Sequence, residues 1–217
     1  MFFPYRDDNP ARSFPFLTIL IILVNCSLFI LPAWRGNLAA LVPEYGYTPE
    51  HFIFKPLSLF TSIFLHAGIL HLVSNMWFLW LFGDNVEDDF GRTRYLALYL
   101  LSGVLGNLSH GLLTGFFTSQ VSVIGASGAV AGVMGVYLVR YYQARINCVF
   151  FLVFYPVFFR IRALWFIGLW FLFEFFAAFS SSGDHVAHWA HVGGFLTGFL
   201  WALKKNELSL RRRRAEY

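Results

Sequence analysis

The chain has 217 residues, of which 58% are hydrophobic, 20% aromatic and only 13% charged, with a formal net charge of +4. So much apolar surface and so little charge leave no polar shell to cover the molecule, which excludes a water-soluble enzyme, a disordered chain and a collagen-like rod. The composition, with a mean hydropathy of +0.60, is that of a polytopic membrane protein.

A helix needs about 20 mainly apolar residues to cross a hydrocarbon core of roughly 30 Å. In chain order this ruler predicts six spans, at residues 14–34, 57–82, 95–117, 123–139, 163–179 and 186–203. The first is too long for the apolar region of a cleavable signal and lacks a small-residue cleavage site. An apolar run at 148–159 is too short to span and is predicted to be an interfacial or re-entrant piece. Residues 1–13 read as an N-terminal tail, 14–204 as the membrane domain and 205–217 as a mobile basic tail. Cys26 and Cys148 form no paired pattern and read as small hydrophobes.

Fourteen of the 16 Lys and Arg residues fall on the side that carries both termini and the 83–94 and 140–162 connections; only Arg35 and Lys55 fall on the other. By the positive-inside rule both termini are expected in the cytoplasm. The basic run Arg211 to Arg214 then sets topology or meets anionic lipid, and no nucleic acid is expected.

Polar side chains inside a bilayer are costly, so each needs a reason. Counting thirteen residues back from the charged ends Asp84, Arg140 and Lys204 lands on His71, Ser127 and His191. Thirteen residues rise roughly 20 Å, which puts His, Ser and His at one depth on three helices. Gly128-xxx-Gly132 and Gly194-xxx-Gly198 are small-xxx-small patterns that let the fourth and sixth helices approach closely. That approach would bring the Ser127 hydroxyl near the His191 imidazole, a nucleophile beside its base. His71 and Asn75, one turn apart, and the backbone N–H of Ser127 at a helix start could stabilise an oxyanion.

Taken singly, each residue has a plainer role: Ser127 in helix packing, Asn75 as an interhelical hydrogen bonder, His71 as a satisfied bundle histidine. His66 is placed at the outer mouth of the cavity, and His110 is read as an interhelical hydrogen bonder. His185, His188 and His191 recur every three residues, a spacing that can bind metal. No HExxH accompanies them and carboxylates are scarce, so no metal or other cofactor is expected. Glu174 is expected to be protonated or paired with a partner that the sequence does not identify.

The segments HLVSNMWFLWLFGDNVED, VIGASGAVAGVMGVY and AHWAHVGGFLTG, in that order and spacing, resemble the rhomboid family of intramembrane serine proteases. The opening RDDNPARSFPFLTILIILVN is similar to the start of the compact bacterial members. The resemblance implies an all-α, six-helix membrane bundle with a long first loop in the outer leaflet. It also implies a water-filled cavity opening outward over a short fourth helix, and a fifth helix that gates substrate entry. By that likeness Ser127 is the nucleophile and His191 the base of a dyad with no third acid. His71, Asn75 and the Ser127 N–H would form the oxyanion hole, with Gly125 and Gly128 lining the site. Position 131 carries Ala where some relatives have an aromatic residue packed on the histidine.

The expected function is serine-type hydrolysis of peptide bonds in or near transmembrane segments of other membrane proteins. The expected location is a bacterial cytoplasmic membrane, with the site open to the extracytoplasmic side. Membrane-protein substrates and lipids are the partners, and a homo-oligomer is left open. The alternatives are a catalytically silent adaptor or dislocation factor on the same fold, and a small transporter built on the buried histidines. Against the transporter, the fourth and sixth helices are apolar from Ser127 down to Arg140 and Lys204.

Overall fold

The computed structural model describes residues 2–116, 120, 122–152, 155–180 and 186–215. Among them eight α-helices follow in order: α1 (Phe16–Trp34), α2 (Leu38–Tyr45), α3 (Ser58–Thr61), α4 (Ile69–Phe90), α5 (Arg92–Thr114), α6 (Ser127–Tyr141), α7 (Ala163–Ala177) and α8 (His188–Ala215). Three strands, β1 (Phe2–Asp7), β2 (Arg145–Leu152) and β3 (Tyr155–Arg162), form an antiparallel sheet in the order β1-β2-β3.

The burial pattern is inverted relative to a soluble protein. Leu23, Ile30, Leu31, Leu70, Val73, Leu112, Phe173 and Phe176 face outward, while Thr18, Asn25, Asn85, Glu87, Ser102, Asn107 and Glu174 are buried. Surroundings of hydrocarbon reward that arrangement, because polar groups must then find partners inside the bundle. By length and composition α1 and α5 each suffice to cross a membrane. A third crossing follows if the α3 and α4 segments are one broken span. Helices α6 and α7 have 15 residues each, about 22 Å of rise.

The all-α expectation is corrected by this sheet, and the single second span by a break. The second predicted span, 57–82, is not one straight helix: its halves meet at 91°. The break comes after a 3-10 turn at Ser62–Phe64, and Gly68 enters α4 in an extended conformation. The 148–159 run, expected as an interfacial or re-entrant piece, forms most of a β-hairpin. Its register runs from Arg145 opposite Arg162 to Leu152 opposite Tyr155. Valines and aromatics favour the pleated form, and pairing satisfies backbone groups that a re-entrant loop would leave open. The N-terminal segment, predicted as a plain tail, adds β1 to the free edge of β2. The basic C-terminal segment continues α8 as helix through Ala215.

One end of the bundle is held by charge. Asp89 at the end of α4 accepts from Arg140 Nε of α6 at 2.7 Å and lies 3.2 Å from Lys205 Nζ of α8. Nearby, Glu87 accepts from the N–H groups of Leu17 and Thr18 at 2.9 and 2.8 Å. It thereby caps the start of α1, where helix N–H groups have no internal partners. These contacts bring the ends of α4 and α6 and the Lys205 turn of α8 together.

Candidate active site

Ser127 is the first residue of α6, and the chain leading to it is pinned on several sides. Val123 and Tyr47 exchange backbone hydrogen bonds at 2.7 and 3.1 Å, and Gly125 N–H donates to the Ser62 carbonyl at 2.9 Å. Thr48 and Ser122 hydroxyls meet at 2.8 Å. The first loop, containing α2 and a 3-10 turn at Pro49–His51, thus buttresses the serine turn from outside. Gly125 has φ 128°, a left-handed conformation that a side chain would strain.

His191 reaches the same region from α8 because α6 and α8 touch backbone to backbone. A Cβ on Gly194 would collide with the Gly128 carbonyl, and one on Gly198 with the Gly132 carbonyl. Gly128, expected to line the site, instead faces the Ala190 carbonyl of α8, 3.3 Å from where its Cβ would stand. Its small size serves helix contact.

A cavity of about 1090 Å³ opens beside the serine, lined by His71, Asn75, Ser127, His191, His110 and Glu174 among others. Four of the residues singled out for chemistry, on α4, α6 and α8, therefore share one chamber. The Nε2 of His71 would lie 2.6 Å from a Cβ on Gly125, and the Ser127 Oγ 3.7 Å from it, so both flank that glycine. Ala67 N–H approaches His71 Nδ1 at 3.5 Å. With Nδ1 accepting, Nε2 carries the proton and can donate toward the serine turn. Asn75 gives one amide N–H to the His71 carbonyl at 3.0 Å and keeps the second.

His66 is not among the residues of this chamber. It borders a smaller neighbouring pocket with Ala67 and Val42, and its buried ring meets His71 edge-on at 5.1 Å between centroids. His110 lines the main chamber, and among the described residues its Nδ1 has no hydrogen-bond partner. His185 lies outside the described residues.

Three residues gain parts that the sequence did not assign. Glu174 of α7, 6% exposed, places Oε2 2.7 Å from Nδ1 of both His191 and His188. Trp170, one turn earlier, lays its indole beside His191 with centroids 6.2 Å apart and planes 31° apart. The aromatic neighbour missing at Ala131 is thus supplied by α7. The ligand atoms of Glu174, His188 and His191 all lie within 4.8 Å of one another, close enough to be drawn onto an ion. Their 2.7 Å separations are hydrogen-bond lengths, however; ligands about 2.0–2.1 Å from a tetrahedral zinc stand well over 3 Å apart.

Apolar-surfaced helices enclose a chamber bordered by a serine at a helix start and a histidine on the helix packed against it, the build of an integral membrane protein. The Rhomboid domain matches residues 54–206, most of the chain, and this chain belongs to the rhomboid family. It is 33% identical over 202 residues to the rhomboid protease GluP of Bacillus subtilis, covering 91% of this chain and 35% of that one. It is 29% identical over 231 residues to RHOMBOID-like protein 1 of Arabidopsis thaliana, covering 90% of this chain and 55% of the relative. The mitochondrial RHOMBOID-like protein 6 of the same plant is 34% identical over 149 residues, covering 65% and 41% respectively. The chain spans about half the length of the curated relatives it matches.

Proposed function

We propose that this protein is an intramembrane serine endopeptidase that cuts other membrane proteins in or near their transmembrane segments. The observation that carries the reading is the single chamber shared by Ser127, His191, His71 and Asn75. Membership of a family that includes named proteases supports it. In this reading the bundle crosses the membrane six times with both termini in the cytoplasm, and the chamber opens on the opposite side.

Ser127 Oγ attacks the scissile carbonyl while His191 Nε2 takes the hydroxyl proton. Charge then develops on the carbonyl oxygen, where donors fixed beforehand lower the barrier most. His71 Nε2–H, the free Asn75 N–H and the Ser127 N–H at the head of α6 are those donors. His191 passes its proton to the leaving amine, leaving an acyl-enzyme. It then draws a proton from the water that attacks the ester, and returns it to Ser127 Oγ as the acyl C–O bond breaks. The histidines, Asn75 and Ser127 that border the chamber give that water hydrogen-bonding groups inside an apolar bundle. A substrate helix must unwind before its carbonyl is free, so Gly or Pro near the cut helps. The crowded serine turn favours a small residue on the acyl side.

The test is labelling of detergent-solubilised protein with a fluorophosphonate, comparing wild type with Ser127→Ala and His191→Ala. Labelling of wild type alone is expected. A label that survives Ser127→Ala overturns the nucleophile assignment, and a folded, accessible wild type that takes no label favours the silent adaptor.

A further inference from the structure

We infer that Glu174 is the third member of a Ser127–His191–Glu174 relay, a positioning residue supplied by α7. The inference rests on the protease reading above and goes beyond a serine–histidine pair. Glu174 is 6% exposed, and its Oε2 stands 2.7 Å from His191 Nδ1. An ionised carboxylate only accepts hydrogen bonds, so Nδ1 carries the proton and Nε2 keeps the lone pair. That is the tautomer a base needs when the serine approaches Nε2. When the imidazole takes the serine proton, the carboxylate faces the new positive charge at hydrogen-bond distance and is itself not protonated.

The ring is held from two more directions. Trp170, four residues before Glu174 on α7, stands beside the ring in a tilted arrangement, with centroids 6.2 Å apart. His188 Nδ1 donates to the same Oε2 at 2.7 Å from one turn earlier on α8, which fixes the carboxylate in turn. Helix α7 buries little else: Ala163, Phe166 and Ile167 near its start are its other buried residues. The Glu174 contacts therefore tie the loosely packed half of α7 to the base.

The experiment compares wild type, Glu174→Gln and Glu174→Asp in lipid vesicles with a cleavable transmembrane substrate, with Ser127→Ala as the zero. Glu174→Gln keeps the volume but allows the wrong tautomer. A kcat loss of about a hundredfold or more is expected, with KM within about twofold, and Glu174→Asp is expected to recover part of it. A kcat for Glu174→Gln within about threefold of wild type overturns the relay, as does an equal change in kcat and thermal midpoint for both variants. Neither result touches the protease reading so long as Ser127→Ala is inactive; activity in Ser127→Ala overturns that reading instead. A second measurement needs no Glu174 variant to fold. Nitrogen-15 spectra of histidine-labelled wild type, assigned against His191→Asn, are expected to show His191 protonated at Nδ1. Protonation at Nε2 alone overturns the proposal.

Discussion

Gly194 of α8 lies against Gly128 of α6 so closely that a Cβ on the first would overlap the carbonyl of the second. This contact, repeated at Gly198 and Gly132, is what lets His191 and Ser127 border one chamber. In lipid no hydrophobic force drives helices together, so close packing of small residues has to do it. Gly194→Val is expected to cost about 1–3 kcal/mol or more by overpacking and to abolish fluorophosphonate labelling. A methyl group placed on Gly168 of α7 would meet no atom within 4 Å, so Gly168→Ala is expected to leave labelling unchanged and, Ala being the better helix former, not to lower the thermal midpoint. Thermal unfolding in detergent with labelling as a second readout checks the pair.

The serine turn has less tolerance still. Gly125 combines φ 128° with a Cβ position 2.6 Å from His71 Nε2. Gly125→Ala adds backbone strain of about 1–3 kcal/mol and drives the imidazole out of place. A kcat loss of about 10²–10³-fold is expected, the size seen when an oxyanion donor is removed. Steady-state cleavage of a transmembrane substrate measures it; an unchanged kcat would remove His71 from the oxyanion hole.

Trp170 stands beside His191, where Ala131 offers no aromatic ring. An aromatic contact of this kind is worth about 0.5–1.5 kcal/mol, up to roughly tenfold in rate if it acts on the base. Trp170→Ala is therefore expected to lower kcat by up to about tenfold. Ala131→Phe, one turn beyond Ser127 and facing the same chamber, is expected to restore part of it in the double variant. Kinetics on the two single variants and the double variant decide whether the two positions are coupled.

The N-terminal strand carries a pH dependence of its own. Burial pushes the Asp7 carboxyl above its ordinary value, while the Tyr137 hydroxyl, donating to it at 2.5 Å, pulls the other way. The folded protein thus holds this proton more tightly than the unfolded chain. Stability from this group is greatest at low pH and falls as pH rises from about 4 through the raised value. Asp7→Asn is expected to remove that slope, read as the difference between the two thermal midpoints across acidic to neutral pH.

Much of the chamber was legible in the sequence because a helix has a fixed rise and a bilayer a fixed thickness. Counting from charged ends singled out His71, Ser127 and His191, which border one chamber, and the glycine spacing told which helices touch. The break after Phe64 was not legible, since an apolar run reads the same whether straight or bent. The strands β2 and β3 were missed because a dozen apolar residues carry no sign of the partner that will pair with them.

Glu174 marks the boundary between the two kinds of knowledge. The sequence alone established a polytopic membrane chain, the catalytic candidates and the anomaly of a carboxylate within an apolar helix, because composition, periodicity and cost of burial are local properties. Which groups answer that carboxylate was decided only when α7 and α8 packed side by side. His188 and His191 lie 14 and 17 residues away along the chain but 2.7 Å away in space. Hydrogen bonds depend on distance and direction between atoms, and across separate helices only the tertiary structure sets either one.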